Sequence, residues 1–309
     1  MSFNTARYLA VSNGMKTLFD EAVRGYSPIF PDFCYEVDSD GESEDYAKTG
    51  GLKGMEERLG EIRYDSMRSA LWSAENKEYA NGVEAEKNAL DDDRHGVYKS
   101  LIPKMGVEAM AHPDELLFDQ MNNVETLESW DGQNLVDTDH EWGDSGAQSN
   151  ELTYNVADTA DPTDVECRAV FEKALNAILN YVNDKGKRFY RPTAKPISGI
   201  ALIVPTLHLE QVFTDALFSS TKTDGAQNLL VNKPSKVQYL PQLSSSTKLL
   251  VMKLDVPAER PFLFQRRTPL QRWTKGAEDP EARSIKFGCN TRYVMVPNAW
   301  WNIAQIELT

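Results

Sequence analysis

Val97-Tyr-Lys-Ser-Leu101-Ile-Pro103-Lys-Met105-Gly-Val-Glu-Ala-Met110-Ala-His-Pro113-Asp-Glu-Leu-Leu117-Phe-Asp-Gln-Met121-Asn-Asn-Val124 reads as one long helix. Val97, Leu101, Met105, Met110, Leu117, Met121 and Val124 recur every three to four residues or at multiples of it, the spacing that gathers apolar side chains on one helical face. Pro103 and Pro113 interrupt the pattern. Each removes an internal hydrogen bond, so the helix is expected to be kinked or broken at one of them.

Upstream, Met15, Leu18, Phe19, Ala22 and Val23 form one face of a short helix over 13–24. Gly25 stops it, and Pro28 and Pro31 punctuate the next few residues. A helix of three turns is marginal alone, so this arm must dock through Met15, Leu18, Phe19 and Val23. Residues 36–54 carry Glu36, Asp38, Asp40, Glu42, Glu44 and Asp45 before the first base, with glycines at 41, 50, 51 and 54, which predicts a solvated or mobile loop. Asp38-Ser39-Asp40-Gly41 is not an EF-hand, whose glycine stands sixth in the loop and whose glutamate stands twelfth. Residues 55–90 are polar with scattered apolar positions (Met55, Leu59, Ile62, Met67, Leu71, Trp72, Tyr79, Val83), too few for a core. Trp72 and Tyr79 would be wasted on a free loop, which marks them as contact residues.

Downstream, a loop rich in Asp, Gly, Asn and Ser covers 128–150. Thr163-Asp164-Val165-Glu166 is a capping box that opens a helix, striped by Val170, Ala174, Leu175, Ile178 and Val182 and closed by Lys185-Gly186. Ile197–Val204 reads as a buried strand, a helix comes next through Val212, Phe213, Ala216 and Leu217, and Leu249–Val256 reads as a second strand. The tail is β-rich at 285–287, 292–296 and 301–308. Helices and strands mix without a regular βαβ repeat, so the class is α+β.

The 309 residues allow one large domain or two moderate ones at roughly 150 residues each. No window approaches the ~18 apolar residues of a membrane span, and Met1–Arg7 lacks the pattern of a secretory signal. Cys34, Cys167 and Cys289 match no zinc or redox spacing, which fits folding in a reducing compartment. The net charge of −14 argues against a dedicated nucleic-acid binder. The distribution is uneven: residues 1–167 hold 36 acids against 13 bases, and residues 168–309 hold 11 against 20. Between Lys104 and Arg168 there are 16 acids and no Lys or Arg. The halves either neutralise one another inside one fold or meet between copies, acidic patch on basic patch.

Motifs of catalysis are missing. There is no Gly-x-Ser-x-Gly elbow and no Gly-x-Gly-x-x-Gly after a strand, and Gly50-Gly51-Leu52-Lys53-Gly54 lacks the ending of a phosphate loop. The four histidines are far apart, and Asp137-Thr138-Asp139-His140-Glu141 is the best metal candidate, although acid-rich loops are more often simply solvated. No catalytic, cofactor or metal residue is assigned.

The residues nevertheless suggest a family. Asn76-Lys77-Glu78-Tyr79-Ala80-Asn81-Gly82-Val83, then Asp91-Asp92-Asp93-Arg94-His95-Gly96-Val97-Tyr98, Met105-Gly106, His112-Pro113-Asp114-Glu115-Leu116-Leu117-Phe118 and Asp131-Gly132-Gln133-Asn134-Leu135-Val136-Asp137-Thr138-Asp139-His140 resemble the major head subunit of Mu-type tailed phages. Ile203-Val204-Pro205 and Pro261-Phe262-Leu263-Phe264-Gln265-Arg266-Arg267 resemble it more loosely. The likeness covers roughly 10–309 and is most specific between 76 and 140. The acidic insert near 38–45 and the tail after Arg267 depart from the pattern.

The resemblance implies the Hong Kong 97 capsid fold: an N-terminal arm (1–35), an extended loop (36–84), a peripheral domain with a spine helix (85–125 and 251–309) and an axial domain (126–250). It implies a major capsid protein that assembles with itself into hexamers, pentamers and an icosahedral head around double-stranded DNA, contacted without sequence specificity. It also implies a separate scaffolding protein, because the chain starts with the arm, a portal at one vertex and room for decoration proteins. The shell would be assembled in the host bacterial cytoplasm, with no membrane partner and no enzymatic activity. Met15, Leu18, Phe19, Val23, Trp72, Tyr79, Arg266 and Arg267 are the candidate interface residues. A prophage-derived or encapsulin-like shell with another cargo is the alternative, and an unrecognised cytoplasmic enzyme the remote one.

Overall fold

The computed structural model describes residues 5–51, 55, 57, 64, 68–92, 97–193, 197–222, 225–231, 233–279 and 281–309. Leu59, Ile62 and Met67 of the apolar scatter, Leu52-Lys53-Gly54 and the Asp93-Arg94-His95-Gly96 segment lie outside these residues. The chain opens with α1 (Thr5–Gly25), a single turn α2 (Phe30–Phe33), β1 (Cys34–Asp38), β2 (Ser43–Thr49), β3 (Ser69–Glu75), β4 (Lys77–Glu86), α3 (Lys87–Asp92) and α4 (Val97–Asn122). It continues with β5 (Glu151–Tyr154), α5 (Asp164–Asn180), β6 (Ile200–Val204), α6 (Leu207–Phe218), β7 (Pro234–Tyr239), β8 (Lys248–Lys253), β9 (Phe262–Lys275), β10 (Ser284–Pro297) and β11 (Ile303–Leu308).

Two sheets organise the molecule. One has the order β1-β9-β10-β4, with β1 parallel to β9 and the other pairs antiparallel. The second has the order β5-β11-β8-β6-β7, and β2 and β3 form a separate antiparallel hairpin. α1 and α4 pack on the four-stranded sheet, where Met15, Phe19, Ile102, Met105, Phe287 and Cys289 make a cluster of their own. The larger core joins the α5 stripe and α6 to β6, β8 and β11 and continues through Phe262 and Phe264 to Phe33 and Leu117.

Local chemistry explains most of these elements. The capping box forms as expected: the Thr163 side chain accepts from the Glu166 amide while the Glu166 carboxylate accepts from the Thr163 amide. α5 ends at Asn180, before Val182 and Lys185-Gly186. β6 is buried along its whole length because sheet neighbours flank it and helices cover it. α4 runs unbroken through both prolines, so of the two expected outcomes the break does not occur. Its buried face, with Ile102, Met105, Leu117 and Met121 all under 5% exposed, compensates the bonds the prolines delete. Gly106 lets α1 approach: a Cβ there would lie 3.1 Å from the Phe19 carbonyl oxygen.

Two expectations are corrected. α1 begins at Thr5 rather than 13, because Tyr8, Val11 and Ser12 prolong the buried stripe by two turns. The acid-rich stretch after 36 is not a solvated or mobile loop but two strands joined by a closed turn. The Glu44 carboxylate accepts from the Ser39 hydroxyl and the Asp40 and Gly41 amides at 2.9–3.0 Å, which holds its pKa below the usual range.

Candidate assembly surfaces

The N-terminal arm is tied to α4 by one buried carboxylate. Asp114 accepts from the Tyr26 hydroxyl at 2.8 Å and from the Ile29 and Phe30 amides at 2.9 and 2.7 Å. Burial, followed by the bond to Asp114, pushes the Tyr26 hydroxyl up to about 12. Met15 and Phe19 are buried between α1, α4 and β10, with Leu18 and Val23 packed at the edge of the same cluster. Phe19 and Phe287 meet with ring centroids 5.6 Å apart. All four arm candidates therefore sit against the chain's own helix and sheet.

The β2–β3 hairpin leaves the body through a polar clasp. The backbone of Asn76 donates to the Glu42 carbonyl at 2.9 Å and closes its base. The Tyr46 hydroxyl donates to Gln265, whose amide donates in turn to the Ala74 carbonyl. Lys48 donates to Asn298, and the Gly51 amide donates to Asp184 at 2.6 Å. A Cβ at Gly50 or Gly51 would displace the end of the Asp184 or the Asn183 side chain, so glycine leaves room for this close approach. Burial pulls the Lys48 ammonium down to about 8. Trp72 lies opposite Tyr46 and packs on the main core, while Leu71 beside it is 69% exposed.

Tyr79 sits elsewhere, at the start of β4. It stacks on Tyr293 at 4.8 Å and contacts the His112 ring at 4.5 Å, and His112 Nδ1 lies 2.6 Å from the Tyr293 hydroxyl. Burial raises both tyrosine hydroxyls. These three rings line one end of a groove of about 250 Å³ between α4 and the sheet.

Arg266 and Arg267 flank the acidic turn. Arg266 forks onto one Asp38 oxygen at 3.0 and 3.2 Å; Arg267 donates to the Ser39 carbonyl at 3.1 Å and lies 3.9 Å from Asp40. They belong to a wider pattern. Asp20–Arg272, Asp32–Lys236, Asp38–Arg266, Asp40–Arg267, Glu84–Lys286 and Glu125–Lys248 each join an acid from the first 167 residues to a base from the remainder. Among the described residues the opposed halves thus neutralise one another at these six points inside one chain.

The eight candidate residues occupy four separate places: the arm cluster, the middle of β3, the Tyr79 aromatic group and the acidic turn. The metal candidate has a structural role instead. His140 is fully buried, its Nδ1 2.8 Å from Asp131, its ring stacked on Trp300 at 4.0 Å and 3°. Among the described residues no group of His, Cys, Asp and Glu is arranged to hold a metal, and no helix among them is long and apolar enough to cross a membrane. Sequence reasoning missed Asp114, Asp184, Gln265 and Asn298, which carry the arm and the clasp. Asp114 had a signal, as a carboxylate set inside an apolar helical stripe; the others had none.

The geometry can be set beside known proteins. The family model described as Mu-like prophage major head subunit gpT matches residues 9–165. The chain is 34% identical over 123 residues to the Mu-like prophage FluMu major head subunit of Haemophilus influenzae, covering 40% of each. It is 30% identical over 104 residues to the major capsid protein of Escherichia phage Mu, covering 34% of each. The matches thus span well under half the length of these curated relatives. Its structure is similar to that of the capsid subunit of cyanophage P-SCSP1u, with TM-score 0.63, 8% identity, and coverage of 92% of this chain and 88% of that one. The last likeness shows the fold, an α+β phage-capsid architecture of the kind the resemblance implied.

Proposed function

The chain belongs to the family of Mu-like prophage major head subunits, and on that premise we propose that it is the major capsid protein of a tailed-phage head. Copies assemble into hexamers and pentamers and close an icosahedral shell around double-stranded DNA, which they contact without reading its sequence. A separate scaffolding protein, a portal at one vertex and decoration proteins are the partners this role calls for. The chain performs no chemistry in this role, and its place is the virion, assembled in the host cytoplasm.

The observation that supports the reading best is the meeting of two independent likenesses: the family match over 9–165 and a capsid fold that spans 92% of the chain. The architecture supplies the parts a shell subunit needs. In this reading α1, α4 and the four-stranded sheet make the peripheral domain, and the five-stranded sheet with α5 and α6 makes the axial domain. β11 pairs with β5 and β8 in the second sheet, which supports drawing the division inside the C-terminal segment between β10 and β11 in this reading. The β2–β3 hairpin is the extended loop that reaches a neighbour, with Leu71 outward. Individually weak contacts suffice, because every copy makes each of them once and the closed shell sums them.

The test is expression of the protein alone and together with its neighbouring genes, read by electron microscopy and native size analysis. Capsomers or closed particles are expected. A small closed oligomer under every condition overturns the reading.

A further inference from the structure

The groove beside α4 holds chemistry that the fold itself does not use. Glu108, His112 and Glu115 stand at i, i+4 and i+7 on α4 and so share one face. Opposite them lie Tyr79 and Tyr293 from β4 and β10, with Ala109 and Leu270 as apolar wall. Glu108 and Glu115 are exposed, and neither is in an ion pair with any described residue. Aromatic rings beside unpaired carboxylates, with an apolar wall behind, recognise a cation carried on an aliphatic stem. At about 250 Å³ the groove is smaller than the ~300–1,000 Å³ of small-molecule sites and suits one long side chain.

We propose that this groove receives a lysine or arginine side chain from the C-terminal half of a second copy of the chain. The stem lies along Ala109 and Leu270, and the charge sits at the Glu108 and Glu115 rim near the Tyr79 ring. Charge complementarity selects a copy of the same chain as the occupant. Glu108 and Glu115 belong to the 105–167 stretch, which has no Lys or Arg of its own, whereas residues 168–309 carry 20 bases against 11 acids. The six internal ion pairs use acids outside this groove. The inference rests on the shell reading, since it needs copies of the chain to meet.

The experiment compares wild type with the Glu108→Gln/Glu115→Gln double variant and the Glu108→Lys/Glu115→Lys inversion. The protein concentration at which particles first appear is measured by light scattering, and the wild-type assembly is imaged at side-chain resolution. The Gln pair should raise the threshold about tenfold and the Lys pair should raise it further. The subunit melt should stay within a degree or two of wild type, because both positions are exposed. The image should show a neighbour's Lys or Arg from 168–309 in the groove. An unchanged threshold, an empty groove or a groove filled by another segment or another protein overturns the assignment while leaving the shell reading intact. Wild type that assembles under no condition overturns the shell reading, and this inference with it.

Discussion

Asp20 on α1 and Arg272 on β9, 252 residues apart, form a two-pronged ion pair with Nε–Oδ1 at 2.7 Å and Nη2–Oδ2 at 2.5 Å. The pair ties α1 to β9 at the residue that follows Phe19. The hydrogen bonds from Arg272 hold the Asp20 carboxyl below its ordinary range. A depressed carboxyl contributes stability that is present above its unfolded value near 4 and lost as pH falls through the folded value. The pair is partly exposed, so its worth is about 0.5–1 kcal/mol and falls with salt. A double-mutant cycle of Asp20→Asn and Arg272→Gln, melted at pH 7 and at stepwise lower pH, should show that coupling at pH 7 and a progressive decline of it once the pH falls below about 4.

Phe19→Ala should weaken the subunit itself. Phe19 is 2% exposed and packs on Phe287 and Ile102 within the same chain. Truncating such a side chain costs about 3–5 kcal/mol. The sequence alone leaves the arm to dock on a neighbouring subunit or on its own peripheral domain, and expects Phe19→Asp to weaken assembly more than folding. The structure predicts a lower melting temperature of the unassembled protein for either substitution, measured by calorimetry.

Lys48 gives the hairpin a pH response. Burial pulls its pKa from 10.5 to about 8, so between those values the unfolded chain holds more protons than the folded one. Stability therefore rises with pH across that window, by on the order of 2–3 kcal/mol for this group alone. Hydrogen exchange of the 43–49 amides should slow from pH 8 to pH 10 relative to Lys48→Met, once the intrinsic rates are divided out. Parallel profiles for the two proteins would mean that Lys48 is not desolvated.

These responses hang on contacts that the sequence expressed unevenly. The capping box at Thr163–Glu166 and the apolar run at 200–204 were legible because their causes are local: a side chain meets its own helix end, or a strand is covered on both faces. Ser43–Thr49 (SEDYAKT) was not legible as a strand. It packs on one partner strand and stays half in solvent, so no apolar alternation marks it. The same holds for Cys34–Asp38, whose Asp38 pairs with Arg266, 228 residues away. Candidates such as Phe19 and Trp72 were recognisable as residues that need burial. What buries them is a matter of topology, and so are the clasp at Gln265, Asn298 and Asp184 and the groove between His112 and Tyr293.

The hairpin carries the most direct test of the shell role. Its two ends are adjacent, because the Asn76 amide donates to the Glu42 carbonyl, so residues 43–75 can be replaced by a short glycine linker without moving either flank. The cut must stop there: β4 begins at Lys77 and pairs with β10 from Tyr293 to Ser284, so an excision running to residue 80 would remove part of the central sheet. Excision strands Gln265, which is fully buried and loses both Tyr46 and the Ala74 carbonyl, at a cost of about 1–3 kcal/mol. A melt that is lower but still cooperative is expected, since the larger core and the arm cluster are built from other residues, Ala70 and Trp72 aside. Closed particles should disappear, since the proposed shell role gives this segment the contact with the neighbour. Normal particles from the excised protein would show that the hairpin is a surface insertion packed for its own subunit's sake. Loss of the cooperative melt would show instead that the clasp is part of the fold's core.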